Sequence, residues 1–198
     1  MKELLFATRN KNKAREIQEI FGEGFKVLSL DDAGIDTEII EDGKTFEENS
    51  MKKAEEIMKV SGKVVLADDS GLEIDYLNKA PGVYSARYLG EDTSYDIKNA
   101  KILEKLEGIE DKDRTARFVC VVSAAFPDGR KYSVRGTIEG IIAHEIKGEN
   151  GFGYDPIFYV PEYSMTTAEM SPQIKNEISH RGKAIRAMKE KLSEAGEL

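Results

Sequence analysis

Apolar residues fall along this chain in short blocks separated by polar turns, and the spacing inside each block predicts its element. Glu3-Leu4-Leu5-Phe6-Ala7 is a brief apolar run that reads as a buried strand. Residues 8–12 are polar, after which Ala14, Ile17, Ile20 and Phe21 recur at helical spacing and stop at Gly22. Residues 27–30 read as a second strand. Thr45 followed by Glu48 is a capping-box pattern, and the helix it opens carries Phe46, Ala54, Ile57 and Met58 and ends near Gly62. Residues 64–67 are a short buried strand that runs into Asp68-Asp69-Ser70-Gly71.

Pro81-Gly82 is a turn signal. Asp92 or Thr93 caps a helix with Ile97, Ala100, Leu103 and Leu106 on its apolar side. Residues 114–126 are strand-like, Pro127-Asp128-Gly129 is turn chemistry, and residues 131–138 alternate apolar with polar, which together predict a hairpin. Residues 148–156 form a glycine-rich loop. Ser171-Pro172 is a cap followed by proline at the first helical turn. From there Ile174, Ile178, Ile185, Met188 and Leu192 read as one helical stripe. Strands and helices interleave, so the class is mixed α/β. No internal repeat, low-complexity tract or long linker interrupts the pattern.

Composition narrows the functions. The 198 residues include 29 Lys+Arg against 37 Asp+Glu, a formal net charge of -8. A chain this acidic lacks the basic face that a nucleic-acid polymer requires. Hydrophobic residues reach 40%, which separates it from a disordered acidic tail. The single cysteine, Cys120, leaves no intramolecular disulfide and no cysteine-based zinc site, and is expected in a strand core. Charge interrupts the N-terminal apolar run at once, so neither a signal peptide nor a membrane span is expected. The expectation is a soluble protein of the reduced cytoplasm.

Four segments carry candidate chemistry. Thr8-Arg9-Asn10-Lys11-Asn12-Lys13 lies between a strand and a helix, where unpaired N–H groups and the helix dipole suit a phosphate. Read alone it is better taken as a polar turn with Asn10 or Asn12 as the N-cap. It is no Walker motif, and Gly43-Lys44-Thr45 fails as one because Glu38 stands at the first glycine. Asp68-Asp69-Ser70-Gly71 places two adjacent carboxylates after an apolar strand, an arrangement that asks for a cation or N–H donors. One Asp can face a cleft while the other ties down the turn; a solvated Asx turn is the plain alternative. Counting from Asp68 excludes an EF-hand, since Glu73 and Lys79 stand at its glycine and glutamate positions. Gly151-Phe152-Gly153-Tyr154-Asp155-Pro156 offers backbone approach, two aromatic rings and a carboxylate to a nucleoside, or else an ordinary loop whose aromatics close the core. It lacks the dinucleotide fingerprint. Lys175 with Ser179-His180-Arg181 puts three potential cations within two helical turns, suited to a base carbonyl or phosphates, or to a solvated face.

Taken together, the segments change the picture. Thr8-x-Asn10-x-x-Lys13, Thr45-Phe46-x-x-Asn49, Asp68-Asp69-Ser70-Gly71-Leu72, Pro81-Gly82-x-Tyr84-Ser85-Ala86-Arg87-Tyr88, Gly151 to Pro156 and Ser179-His180-Arg181, in that order, resemble the inosine triphosphate pyrophosphatase family. The resemblance spans essentially the whole chain. It implies a single nucleoside triphosphate pyrophosphatase domain over residues 1–198. The implied fold is two-lobed α/β, with a long mixed β-sheet, flanking helices and a cleft between the lobes. The implied activity is Mg2+-dependent hydrolysis of ITP, dITP and XTP to the monophosphate and diphosphate, which cleanses the nucleotide pool, by a homodimer.

By position, the family pattern implies that Thr8, Arg9, Asn10, Lys11, Asn12 and Lys13 hold the triphosphate, with Lys53 nearby. Asp69 is implied as the catalytic base and a metal ligand, Glu41 as a second metal ligand, and Ser70 as a substrate contact. Phe152, Gly153, Tyr154, Asp155, Lys175, His180 and Arg181 are implied for the nucleoside. The family often has glycine where this chain has Arg9 and Asn12, and Arg9 is then expected to supply charge to the phosphates. Two other functions compete: a diphosphatase for other modified or pyrimidine nucleotides, and a nucleotide-binding module without turnover.

Overall fold

The computed structural model describes residues 2–197. Its strands form one sheet in the order β2-β1-β3-β4-β5-β6-β7. These strands are β1 (Lys2–Phe6), β2 (Phe25–Leu28), β3 (Val65–Ile74), β4 (Thr115–Ala125), β5 (Lys131–Ile142), β6 (Phe158–Val160) and β7 (Met165–Thr166). The helices are α1 (Lys11–Phe21), α2 (Phe46–Ser61), α3 (Tyr95–Lys105), α4 (Pro172–Ile178) and α5 (His180–Glu194). β1 pairs in parallel with β2 and β3, whereas β6 pairs antiparallel with β5 and β7. The sheet is therefore mixed and the class α/β, as the interleaved pattern predicts.

The chain divides into two compact units. The first comprises the segment ending at Ser70, Cys120–Gly136 and the segment starting at His180. Phe6, Ile17, Phe21, Leu66, Cys120, Val122, Ile185, Met188 and Leu192 share one of its cores, and Leu5, Ala7, Ala54, Ile57 and Val65 share the other. The α2 boundaries follow from local chemistry. Thr45 accepts the Glu48 N–H, Gly62 ends the helix at φ 64°, and the Glu48 carboxylate accepts from the Lys44 N–H at 2.6 Å. The capping box is thus displaced by one residue, since its return bond goes to Lys44 and not to the cap itself. Gly136 is required: a Cβ there would collide with the His180 carbonyl and lie 2.7 Å from the Ala184 nitrogen.

The second unit comprises Gly71–Val119 and Thr137–Ser179, around Leu72, Ile102, Leu106, Phe118, Ile142, Tyr154 and Phe158. Buried Arg114 donates to the Leu106, Ile142 and Ala143 carbonyls, which caps the C-terminus of α3.

Four expectations are corrected. The second strand lies two residues earlier, at Phe25–Leu28; Leu30 is in the following turn, its N–H on the Thr8 carbonyl at 3.1 Å. The α3 cap is Ser94, which accepts the Ile97 N–H, not Asp92 or Thr93. β3 does not stop at Ala67 but runs to Ile74, so Asp68 to Gly71 are strand residues and not a turn. The C-terminal stripe is not one helix. Ser179 is extended (φ -66°, ψ 157°), ending α4 before α5 begins. The break lets Ile178 pack into the second unit's core while Ile185, Met188 and Leu192 fill the first unit's.

Candidate active site

Parallel strands at a reversal of strand order create a binding position beyond their carboxyl ends. β1 is such a strand, since the chain leaves it for β2 on one side and returns to β3 on the other. Phe6 is in register with Leu66, and the Ala7 N–H donates to the Leu66 carbonyl at 2.7 Å. β3 then continues for eight residues past Leu66. Asp68, Asp69 and Ser70 thus lie just beyond the end of β1, on rigid strand backbone, where the segment 8–13 turns into α1.

That turn is closed by its own side chains. Asn10 is the N-cap and accepts from the N–H groups of Asn12 (3.0 Å) and Lys13 (3.1 Å). Thr8 accepts from the Asn10 N–H at 3.1 Å. Two of the donors expected to be open are therefore occupied by the cap. Lys11 and Asn12 are exposed. Arg9 faces the segment 31–37, with bonds to Asp31, Asp36 and the carbonyls of Ile35 and Thr37.

The two adjacent carboxylates sit in opposite electrostatic settings. Asp68 is 1% exposed. Lys13 Nζ lies 3.0 Å from it, Arg181 Nη2 lies 3.8 Å away, and the Ser70 hydroxyl donates to it at 3.2 Å. Burial would push its carboxyl up, but the Lys13, Arg181 and Lys53 charges outweigh that and hold it well below the usual carboxylate range. Arg181 also pairs with buried Glu16. Its guanidinium is held above its ordinary value because Glu16 and Asp68 overcome the burial cost.

Asp69 is 5% exposed. It accepts from the Asn49 side chain at 3.1 Å, and Lys53 Nζ lies 3.7 Å from it. The same ammonium is 2.9 Å from Glu41. Burial raises the Asp69 carboxyl, Lys53 opposes this, and the Glu41 charge raises it further; the balance is upward. Lys53 is held above its ordinary value, with Asp69 and Glu41 outweighing burial. Adjacent carboxylates driven apart in this way separate a proton acceptor from an anchor.

A divalent cation fits this arrangement. Burial raises Asp69 and the Glu41 charge adds to it, while the two carboxylates share one ammonium, so further positive charge is favourable. Their donors are hard oxygens. Among the described residues, no group of three or more His, Cys, Asp or Glu forms a ready-made metal cage. Mg2+ does not require one, because it binds through one or two carboxylates together with substrate phosphates.

The second unit holds the glycine loop. Asp155 Oδ2 accepts from the Phe152 N–H (2.8 Å) and from Lys175 (2.7 Å), and Oδ1 accepts from Thr167 (2.8 Å). Gly151, at φ 75°, is necessary because a Cβ there would strike the Asp155 carboxylate. Lys175 Nζ lies 5.1 Å from the centre of the Phe152 ring. Gly153 has φ 69° and its carbonyl accepts from Asn99 at 3.0 Å. Tyr154 is buried, donates to the Ser85 carbonyl at 2.7 Å and meets Tyr95 edge-on, so this ring closes the core. Phe152 is the half-buried ring of the loop.

The expected cluster of Lys175, His180 and Arg181 on one helix does not form. Lys175 belongs to α4 and the second unit; His180 and Arg181 open α5 in the first. Sequence reasoning did not single out Glu16, which reads as one more polar position of an amphipathic helix until its ion pair with Arg181 appears. Asp68 was noticed only as a neighbour of Asp69; both are buried, and it is the Lys13 and Arg181 charges beside Asp68 and the Glu41 charge near Asp69 that distinguish the two.

A dITP/XTP pyrophosphatase of Clostridium perfringens is 49% identical over 199 residues, covering 97% of this chain and 98% of its own. One of Desulforamulus reducens is 50% identical over 191 residues, covering 96% and 95%. Among solved structures, the Staphylococcus aureus Ham1 protein is 43% identical with a TM-score of 0.87, covering 98% of this chain and all of that one. A nucleoside-triphosphatase / dITP/XTP pyrophosphatase of Mycobacterium abscessus is 39% identical with a TM-score of 0.75, covering 94% and 98%. The sequence pattern of the Ham1 family matches residues 4–191, and with this fold and these relatives the chain belongs to that family.

Proposed function

We propose that this chain is a nucleoside triphosphate pyrophosphatase that hydrolyses dITP, XTP and ITP to the monophosphate and diphosphate with Mg2+. The observation that carries the reading is the pair Asp68 and Asp69, buried side by side in β3, one ion-paired with Lys13 and Arg181 and the other sharing the single Lys53 ammonium with Glu41. A binding module has no need of a carboxylate left short of counter-charge next to an anchored one.

The roles follow from chemistry. Bound Mg2+ supplies neutralisation of phosphate oxyanions and a lowered pKa for coordinated water. Glu41 and Asp69 hold it. Asp69 accepts the proton of the attacking water. Lys53 stabilises charge on the phosphates. Lys13 remains paired with Asp68 and presents charge at the start of α1, where the dipole also favours an anion. Thr8, Asn10, Lys11, Asn12 and Lys13 hold the triphosphate and Ser70 contacts substrate.

Hypoxanthine and xanthine carry a carbonyl where adenine has an amino group. Donors directed at that carbonyl lose their partner against adenine, which discriminates by ~10⁴ or more. Lys175, His180 and Arg181 are the donors assigned to this task. Phe152 stacks on the base, with Gly153, Tyr154 and Asp155 shaping its loop. The reading includes one catalytic domain spanning the chain, a homodimer and a cytoplasmic location. The family resemblance supports these three. Among the described residues no helix is long and apolar enough to cross a membrane.

The test is phosphate release with added inorganic pyrophosphatase, on ITP, XTP, GTP, ATP and dTTP, with Mg2+ or with EDTA. Diphosphate from ITP and XTP only in the presence of metal is the expected result. Equal turnover of dTTP would move the substrate class to other nucleotides. Thermal stabilisation by ITP without product would make the protein a binder.

A further inference from the structure

The segment between β2 and α2 is unusual. After a turn at 29–34, residues 35–43 have no helix or strand, and Glu41 sits within them. Irregular stretches of this length inside a compact unit are commonly functional. Glu41 therefore cannot depend on a rigid element for its place and must be held by contacts.

Those contacts come from two directions. On the α2 side, Lys53 holds Glu41 at 2.9 Å, Lys52 holds Asp42 at 2.7 Å, and the Gly43 N–H donates to Asn49 at 2.8 Å. On the other side stands Arg9. Its guanidinium reaches the Thr37 carbonyl at 3.1 Å, the Ile35 carbonyl at 3.3 Å, Asp31 at 3.3 Å and Asp36 at 3.4 Å. The Leu30 N–H on the Thr8 carbonyl, at 3.1 Å, is an adjacent backbone stitch. The ion pairs with Asp31 and Asp36 are exposed and individually weak. The two carbonyl bonds are charge-assisted, and one planar fork spanning residues 31–37 restricts the segment more than any of its bonds alone.

We propose that Arg9 is a positioning residue for the divalent-cation site: it straps the 31–37 segment to the turn that opens α1, and so fixes where Glu41 is presented. The proposal rests on the reading of Glu41 as a metal ligand. It replaces the expectation that the Arg9 side chain supplies charge to the phosphates, because the guanidinium is committed to the 31–37 segment. Lysine cannot reproduce the role, since an ammonium lacks the planar fork that spans several acceptors.

The experiment compares wild type, Arg9→Ala, Arg9→Lys and Glu41→Gln. Mn2+ binding to the protein without nucleotide is measured by electron paramagnetic resonance, and backbone amide exchange is followed over residues 35–44. Activity is titrated with Mg2+ as a separate readout. Loss of a residue that orients a ligand weakens metal binding by on the order of 10-fold. Arg9→Ala is expected to weaken Mn2+ by that order, to speed exchange in 35–44, and to raise the half-saturating Mg2+ while kcat at saturating Mg2+ stays near wild type. Arg9→Lys is expected between the two. If Glu41→Gln weakens Mn2+ and Arg9→Ala does not, the strap is refuted and the metal reading stands. If Glu41→Gln leaves Mn2+ binding unchanged, the ligand assignment fails and the strap falls with it. A drop in kcat at saturating Mg2+ with unchanged Mn2+ affinity would return Arg9 to the phosphates.

Discussion

Asp69 in the first unit and Asp155 in the second are both buried aspartates beside a buried lysine, yet their surroundings differ in kind. Both Asp155 oxygens are matched by donors from its own unit: the Phe152 N–H, Lys175 and Thr167. The group is closed, and its effect is to hold the shape of the glycine loop. Asp69 accepts from Asn49 and from the Ser70 N–H, but its cation, Lys53, stands farther off at 3.7 Å and is shared with Glu41. Negative charge is in surplus there. A closed ion pair resembles scaffolding, whereas a surplus suits a place completed by something that arrives, which on the proposed function is a cation with the phosphates it carries.

The comparison can be broken at its most exposed point. Asp69→Asn is expected to lower kcat by about 10²–10⁴-fold, the usual worth of a positioned base. Stability should not fall, and should rise slightly. The sign follows from linkage. A carboxyl whose folded pKa is raised binds its proton more tightly folded than unfolded, so its ionisation costs stability above that pKa. Urea denaturation at neutral pH checks this. An Asp69→Asn protein that is both active and unstable would reverse the assignment of surplus and scaffold.

The next effect concerns the closed pair. Lys175→Met leaves the buried Asp155 carboxylate without its cation and is expected to cost about 3–5 kcal/mol in urea denaturation, the usual penalty for breaking a buried pair from one side. Asp155→Asn with Lys175→Met together should recover part of that loss. A cost below 1 kcal/mol for the single variant would mean that the pair is not closed.

The smallest effect sharpens the comparison. In the metal-free protein the Asp69 carboxyl should titrate above its ordinary value, as followed by carbon NMR. Glu41→Gln should lower that titration, because the Glu41 charge is one of its causes. Mg2+ should lower it as well, since a bound cation favours the ionised form. No movement with either would show that burial alone sets Asp69.

Much of the fold was legible in the sequence because its signals are local. Thr45, Gly62, Ser171 and Pro172 are punctuation that acts within one helical turn, and the structure has each in its expected role. Asn10 was one of two candidate caps for the same reason. The errors arise where distant packing decides. The apolar stripe from Ile174 to Leu192 has continuous helical spacing, and only the existence of two cores splits it at Ser179. Two adjacent aspartates look like a turn, and only Lys13, Arg181 and Lys53, brought in from three different helices, make it possible to bury them in β3. Glu16 was illegible because its partner lies 165 residues away.

The length of β3 has a further consequence for how this site tolerates change. Successive strand residues face opposite ways, so the roles of positions 68 and 69 are assigned by parity along the strand. A loop can absorb an added or missing residue by changing its path. A strand held between neighbours cannot. Deleting one residue between Val65 and Ala67 would bring Asp69 to the anchoring position and Ser70 to that of the base, leaving the composition of the site nearly unchanged and its logic inverted. Insertions and deletions should therefore be far more damaging in this stretch than most substitutions.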